Sequence, residues 1–188
     1  MRAMLLALQK VAGRNYEALL TAAGLTRYLT VLPPADGRPA ATEQEVARLN
    51  AAVYQMLGEA LARLFNRNLG EAYAAGIMQN PAHQEMRARI LAAPPDQQLA
   101  LFVRETRNLV ERAWSGLRLS EDGQAWYFAV EYCVVCNGVH NAEAPICSQM
   151  PALFSGLAKA MLGRRIRVAE VECRAMGASA CRFAVYKD

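Results

Sequence analysis

Histidine, charge of one sign and long apolar runs are all scarce in this sequence, and each scarcity excludes a class of function. Only two histidines occur, His83 and His140. The first stands in a polar, Pro-preceded helix start and the second in an Asn/Gly-rich turn, both solvent-facing contexts. There is no Ser-His-Asp constellation, no P-loop and no dinucleotide fingerprint, and Gly13 and Gly24 stand outside any phosphate-cradling run. Hydride chemistry needs a nicotinamide or flavin site, and no motif for one is present. A binding protein is expected rather than an enzyme.

The net charge is +4, and the arginines are scattered in ones and twos (Arg63, Arg67, Arg87, Arg89, Arg164, Arg165, Arg167). Nucleic-acid binding needs a concentrated basic patch, so these read as solvated helix faces. No stretch approaches the roughly 20 apolar residues of a membrane span. The opening Met1–Lys10 is too short and too quickly polar for a secretory signal, so a cytoplasmic protein is expected. In a reducing compartment, five cysteines favour thiols or a bound metal over disulfides.

What is present is an ordinary folded composition, 54% apolar and 20% charged over 188 residues. A chain of this length fits one domain that buries about 70% of its unfolded surface. Residues 1–115 read as mainly helical. Short helices fill 3–23, broken near Gly13 and closed by Gly24, and a Pro-rich connector follows. Thr42-x-x-Glu45 is a capping box. Behind it Val46, Leu49, Val53, Leu57, Leu61 and Leu64 recur at helical spacing to about Asn66. Further helices are expected at 72–78, 83–91 and 96–114. After Gly116 the period changes to 2: Trp126, Phe128, Val130, Tyr132 and Val134 alternate along a strand. Ser148 opens a helix to Leu162, and Ile166–Cys173 and Cys181–Tyr186 form a hairpin around Gly177. The fold class is α+β, a helical layer packed on a twisted antiparallel sheet.

Cys147, Cys173 and Cys181, with Glu170 nearby, carry the most specific chemistry. Thiolates separated by a short Gly-containing loop suit a tetrahedral metal site closed by a more distant ligand. The competing reading is that these cysteines are small hydrophobes of the core. Glu170 would face away from Cys173 in a plain strand, so it reaches a shared site only through a bulge or an early strand end. Cys133-Val-Val-Cys136-Asn-Gly138 resembles a metal knuckle, and Cys136 or Cys133 is the alternative fourth ligand. Four protein ligands leave no open position, which makes such an ion structural.

The run Ile146-Cys147…Gly156…Leu162-Gly163-Arg164…Glu170-Val-Glu-Cys173…Met176-Gly177…Cys181-Arg182 resembles the closing segment of the 4-vinyl reductase domain family. That family includes a bacteriochlorophyll-synthesis protein and the sensor domains of phenol-responsive transcription activators. The resemblance implies a structural zinc on Cys147, Glu170, Cys173 and Cys181. It also implies a homodimer, and a ligand-binding fold shared with vesicle-tethering subunits. It places at Trp126 the tryptophan that touches the ligand hydroxyl in the phenol sensors. The histidine that shares that role has no counterpart around Gln98, which favours a bulkier or less polar ligand. An apolar, aromatic-lined cavity between helices and sheet is expected, with Tyr54, Tyr73, Trp114, Trp126, Phe128 and Tyr132 as its lining; Phe102 and Phe154 are core. The activators' ATPase and DNA-binding modules are not found in the sequence. The expected function is therefore a stand-alone sensor or carrier of a small apolar or aromatic molecule. The alternatives are an accessory protein or enzyme acting on a vinyl tetrapyrrole, and a scaffold.

Overall fold

The computed structural model describes residues 1–34, 40–111 and 116–187; Trp114 lies outside them. Among the described residues six α-helices come in the order α1 Arg2–Ala12, α2 Tyr16–Ala22, α3 Glu43–Met78, α4 Pro81–Ala92, α5 Pro95–Glu111 and α6 Gln149–Leu162. Four strands, β1 Leu117–Glu121, β2 Ala125–Val130, β3 Val168–Glu172 and β4 Cys181–Tyr186, form one antiparallel sheet in the order β1-β2-β4-β3. The α+β class stands. No helix among the described residues is long and apolar enough to cross a membrane.

α3 is the spine, and its start is fixed locally. The Thr42 hydroxyl accepts from the Glu45 amide at 3.2 Å while the Glu45 carboxylate accepts from the Thr42 amide at 2.8 Å. Two amides of the first turn are thereby satisfied. Arg27, just beyond α2, grips the same carboxylate at 2.7 Å. Arg27 and then the Thr42 amide hold the Glu45 carboxyl down at about 2. A carboxylate with a depressed folded pKa contributes stability above its ordinary value near 4.5, and that stability is lost as pH falls toward 2. Glu45→Gln should therefore flatten the acid limb of a melting-temperature profile in this window and change little at neutral pH. A wild-type-like acid limb would contradict the assignment.

Further along, α3 breaks at Gly58, whose φ of 78° and ψ of 168° are open only to glycine. It then runs unbroken to Met78. The interruption expected between Asn66 and Ala72 is absent, because Gly70 keeps helical geometry to let α6 approach. One side of α3 presents Leu49, Val53, Phe65 and Leu69 to Leu5, Leu8, Leu19 and Leu20 of α1 and α2, all fully buried. Another packs on α6, whose Phe154 meets Phe128 of β2 with ring centroids 4.5 Å apart. Phe102 and Phe154 are core residues, as expected. Ser148, expected to cap α6, instead donates to the Arg63 carbonyl at 2.7 Å and ties the start of α6 to α3.

The sheet corrects two boundaries. β1 was not anticipated, since Leu117-Arg-Leu-Ser-Glu121 has one buried residue and little alternation to show. β2 stops at Val130 rather than continuing to Val134, because its last partner is Cys181, the first residue of β4. With no neighbour to bond, the chain turns, and that turn carries Cys133 and Cys136.

Candidate metal centre and ligand pocket

All five cysteines are buried, free and gathered at one point of the molecule. Cys133 and Cys136 come from the turn after β2, and Cys147 from the residue before Ser148 and α6. Cys173 follows β3 and Cys181 opens β4. The β3–β4 connection closes through a short turn at Arg174–Met176 and Gly177, where φ is 94°. The Met176 and Ala178 amides both bond back to the Cys173 carbonyl, which holds the loop shut under the two sulfurs.

The β3–β4 register slips between Glu170 and Glu172, so a bulge sits where Glu170 needs one to face the cysteines. Its carboxylate accepts from the Cys147 amide at 2.7 Å, and the other oxygen, Oε1, is buried with no hydrogen-bond partner among the described residues. Burial first, and then the Cys173 charge, pushes the Glu170 carboxyl up to about 9.

The sulfurs are 3.5 Å apart for Cys133–Cys147, 3.3 Å for Cys136–Cys181, 3.8 Å for Cys147–Cys181 and 4.0 Å for Cys147–Cys173. A disulfide would need about 2.05 Å. A tetrahedron of roughly 2.3 Å metal–sulfur bonds has edges of about 3.8 Å, which is the spacing found. Among the described residues, two sets of four donors each lie within 4.8 Å of one another: Cys147, Glu170, Cys173 and Cys181, and also Cys133, Cys136, Cys147 and Cys181. Protons are shared unevenly. Hydrogen bonds led by Cys136 hold Cys133 well below the usual thiol value, and those led by Cys133 hold Cys147 well above it. The Arg174 amide points at Cys181 Sγ from 3.4 Å, a donor suited to a thiolate. The donor set is soft and nearly all sulfur, the chemistry of zinc and its neighbours.

The aromatic residues expected to line one pocket are divided among several places. A cavity of about 690 Å³ opens between α3, α5 and the segment after β2, and Tyr73 and Tyr132 line it together with Ile77, Leu109, Val134 and Leu153. Burial raises the Tyr73 hydroxyl above its ordinary value, so it stays a neutral donor. Trp126 lines a separate groove of about 510 Å³ with Gln97, Leu101, Arg104 and Leu119, and Lys187 Nζ lies 4.7 Å from its ring centroid. Phe128 is core, held there by Phe154, and Tyr54 bonds to Glu59 beside the Gly58 break. Gln98 donates to the Leu91 and Ala93 carbonyls and closes the end of α4 instead of facing a ligand.

Sequence reasoning passed over His83, which lines the large cavity. Its Nδ1 lies 2.6 Å from the Ile77 carbonyl, and since a carbonyl only accepts, Nδ1 carries the proton and Nε2 the lone pair. The segment after β2 joins the two sites: Tyr132 and Val134 face the cavity, while Cys133 and Cys136 enter the cluster. Asn50 fixes its middle by donating to the Val134 carbonyl at 3.2 Å.

Residues 126–187 match the model of the 4-vinyl reductase domain, the family that the closing segment resembles. No curated protein matches the sequence. Among solved structures, the chain is similar to the phenol-responsive sensory domain of the transcription activator PoxR, solved with phenol. That match has a TM-score of 0.53 and 18% identity, over 79% of this chain and 76% of that one. It is also similar to an H-NOX protein from S. oneidensis in the Fe(II)NO state, with TM-score 0.50 and 14% identity over 98% of both chains. A structure from work on heme distortion in the H-NOX family matches with TM-score 0.51 and 17% identity, covering 98% of this chain and 90% of that one. At these identities the likeness is one of fold.

Proposed function

We propose that this protein is a small-molecule sensor or carrier domain that takes an apolar or aromatic ligand into the 690 Å³ cavity. A structural zinc on Cys147, Glu170, Cys173 and Cys181 would brace the wall of that cavity. The observation that carries this reading is the cavity itself. It is within the size range of small-molecule sites, its walls are mainly aliphatic, and the Tyr73 and Tyr132 hydroxyls are available to orient a ligand. The match to the 4-vinyl reductase domain and the fold shared with a phenol-responsive domain agree with it. Zinc would supply rigidity, holding the β3–β4 loop and the start of α6 in register. Because Tyr132–Cys136 touches both sites, a ligand pressing on Tyr132 and Val134 strains the cluster, and this couples occupancy to the shape of the metal-bound loop.

Gly76 provides the test. It lines the cavity near the end of α3, and a Cβ there meets nothing within 4 Å. Gly76→Leu should fill the cavity, weaken binding of toluene, phenol or naphthalene by tenfold or more in ligand-observed NMR, and leave metal content unchanged. Replacing a helical glycine should also raise helix stability by about 0.5–1 kcal/mol, so lost binding would not reflect unfolding. Undiminished binding would remove the ligand from this cavity.

His83 supports a second reading, a tetrapyrrole ligand. A half-buried imidazole with Nδ1–H held by a carbonyl presents Nε2 as a metal donor of fixed direction. Haem titration should then give a Soret band that His83→Ala shifts or abolishes; a spectrum of free haem throughout would eliminate this reading.

A further inference from the structure

The two donor sets in the cysteine cluster share one edge, Cys147–Cys181, whose sulfurs are 3.8 Å apart, and otherwise use different residues. We propose that the cluster is a two-ion thiolate site. One ion is held by Cys147, Glu170, Cys173 and Cys181, and a second by Cys133, Cys136, Cys147 and Cys181, with Cys147 and Cys181 bridging the pair. The inference rests on the metal reading above and extends it to a second soft divalent cation, zinc or cadmium by the chemistry of the donors.

A single ion leaves donors stranded whichever set it takes. In the set containing Glu170, Cys133 and Cys136 are left as spare sulfurs 3.5 Å and 3.3 Å from two bound ones, distances near tetrahedral edges. In the all-sulfur set, Glu170 keeps a buried oxygen with no partner and Cys173 is left out. Two tetrahedra sharing an edge use every one of these donors. They also bring twice the positive charge of a single ion against the carboxylate and thiolates of a buried volume, where unbalanced charge is costly.

The second half of the site is prebuilt by its backbone. Gly138, at φ 83°, turns the chain back after Cys136, and the Val139 amide closes the turn on the Cys136 carbonyl at 3.0 Å. Asn50 anchors the intervening Val134 from α3. Both sulfurs of the Cys-Val-Val-Cys turn therefore face Cys147 and Cys181 before any ion arrives. Binding the second ion displaces any protons that remain on Cys133 and Cys136 and changes no oxidation state.

The test is stoichiometric. Metal-free, reduced protein is titrated with cadmium(II) without oxygen and weighed by native mass spectrometry. Two ions per chain are expected in the wild type, and one in Cys133→Ser/Cys136→Ser. Cadmium NMR of the doubly loaded protein should show two resonances coupled through the shared sulfurs. Saturation at one ion in the wild type would overturn the two-ion site while leaving the single structural ion intact. No uptake at all would overturn both readings, and two uncoupled resonances would overturn the bridge. The wild-type count decides even where the double variant does not fold.

Discussion

Cys181→Ser should come from cells without bound metal and melt at least roughly 10 °C below the wild type. Cys181 is the most deeply placed thiol, belongs to both donor sets and opens the strand that pairs with both β2 and β3. Structural zinc contributes about 10–16 kcal/mol of apparent binding free energy in small zinc domains, against total domain stabilities of about 5–15 kcal/mol. This chain also has an aliphatic core around α1–α3 that owes nothing to the cluster, so only part of that energy is at stake. A loss of about 4 kcal/mol is a conservative expectation, and in a chain of this size it corresponds to about 10 °C or more. Calorimetry together with metal analysis reads both quantities. A metal-free variant with an unchanged melting temperature would return the cysteines to the role of small core hydrophobes.

Gly70→Ala is expected to have the largest effect of any methyl-sized change. Its Cβ would overlap the Gln149 carbonyl oxygen and come within 2.9 Å of the Ala152 Cβ and the Leu153 amide nitrogen. Two of these three are backbone atoms of α6, which cannot rotate away, so the helices must separate. Separation opens the core around Leu153 and Phe154 and shifts Gln149 and Leu153, which line the cavity. Overpacking of this kind costs about 3 kcal/mol or more once the helix-propensity gain of alanine, about 1 kcal/mol, is subtracted. Gly76→Ala, further on in the same helix but facing open space, should instead stabilise. Urea denaturation of the pair distinguishes packing from propensity, and equal effects at both positions would contradict the close approach of α3 and α6.

What was legible in the residues follows from how local each signal is. The capping box at Thr42 and Glu45 could be read because its partners are neighbours in one helical turn. The β3–β4 hairpin could be read because Gly177 and the flanking cysteines mark both of its ends. The bulge at Glu170 was deducible as a condition: a carboxylate so close to Cys173 reaches the same site only if the pleat is interrupted, and it is. The Gly58 break was not legible, since nothing in the neighbouring sequence separates a glycine at φ 78° from Gly70, which stays helical. That difference is decided by α6, which lies far along the chain. The pocket was the least legible part. Aromatic residues at helix and strand spacing look alike whether they line a cavity, fill a core or edge a groove. Tyr73, Phe128 and Trp126 turn out to do one each. His83 was overlooked because its partner, the Ile77 carbonyl, leaves no mark on the side-chain pattern.

The measurement that bears most directly on the sensor reading is the set of intermolecular NOEs between a bound aromatic probe and the methyl groups of metal-loaded protein. Contacts to Leu69, Ile77, Val110 and Leu153 are predicted, since these side chains converge on the large cavity. Contacts confined to Leu101, Leu119 and the Trp126 ring would instead put the ligand in the groove beside α5 and contradict the cavity as the binding site.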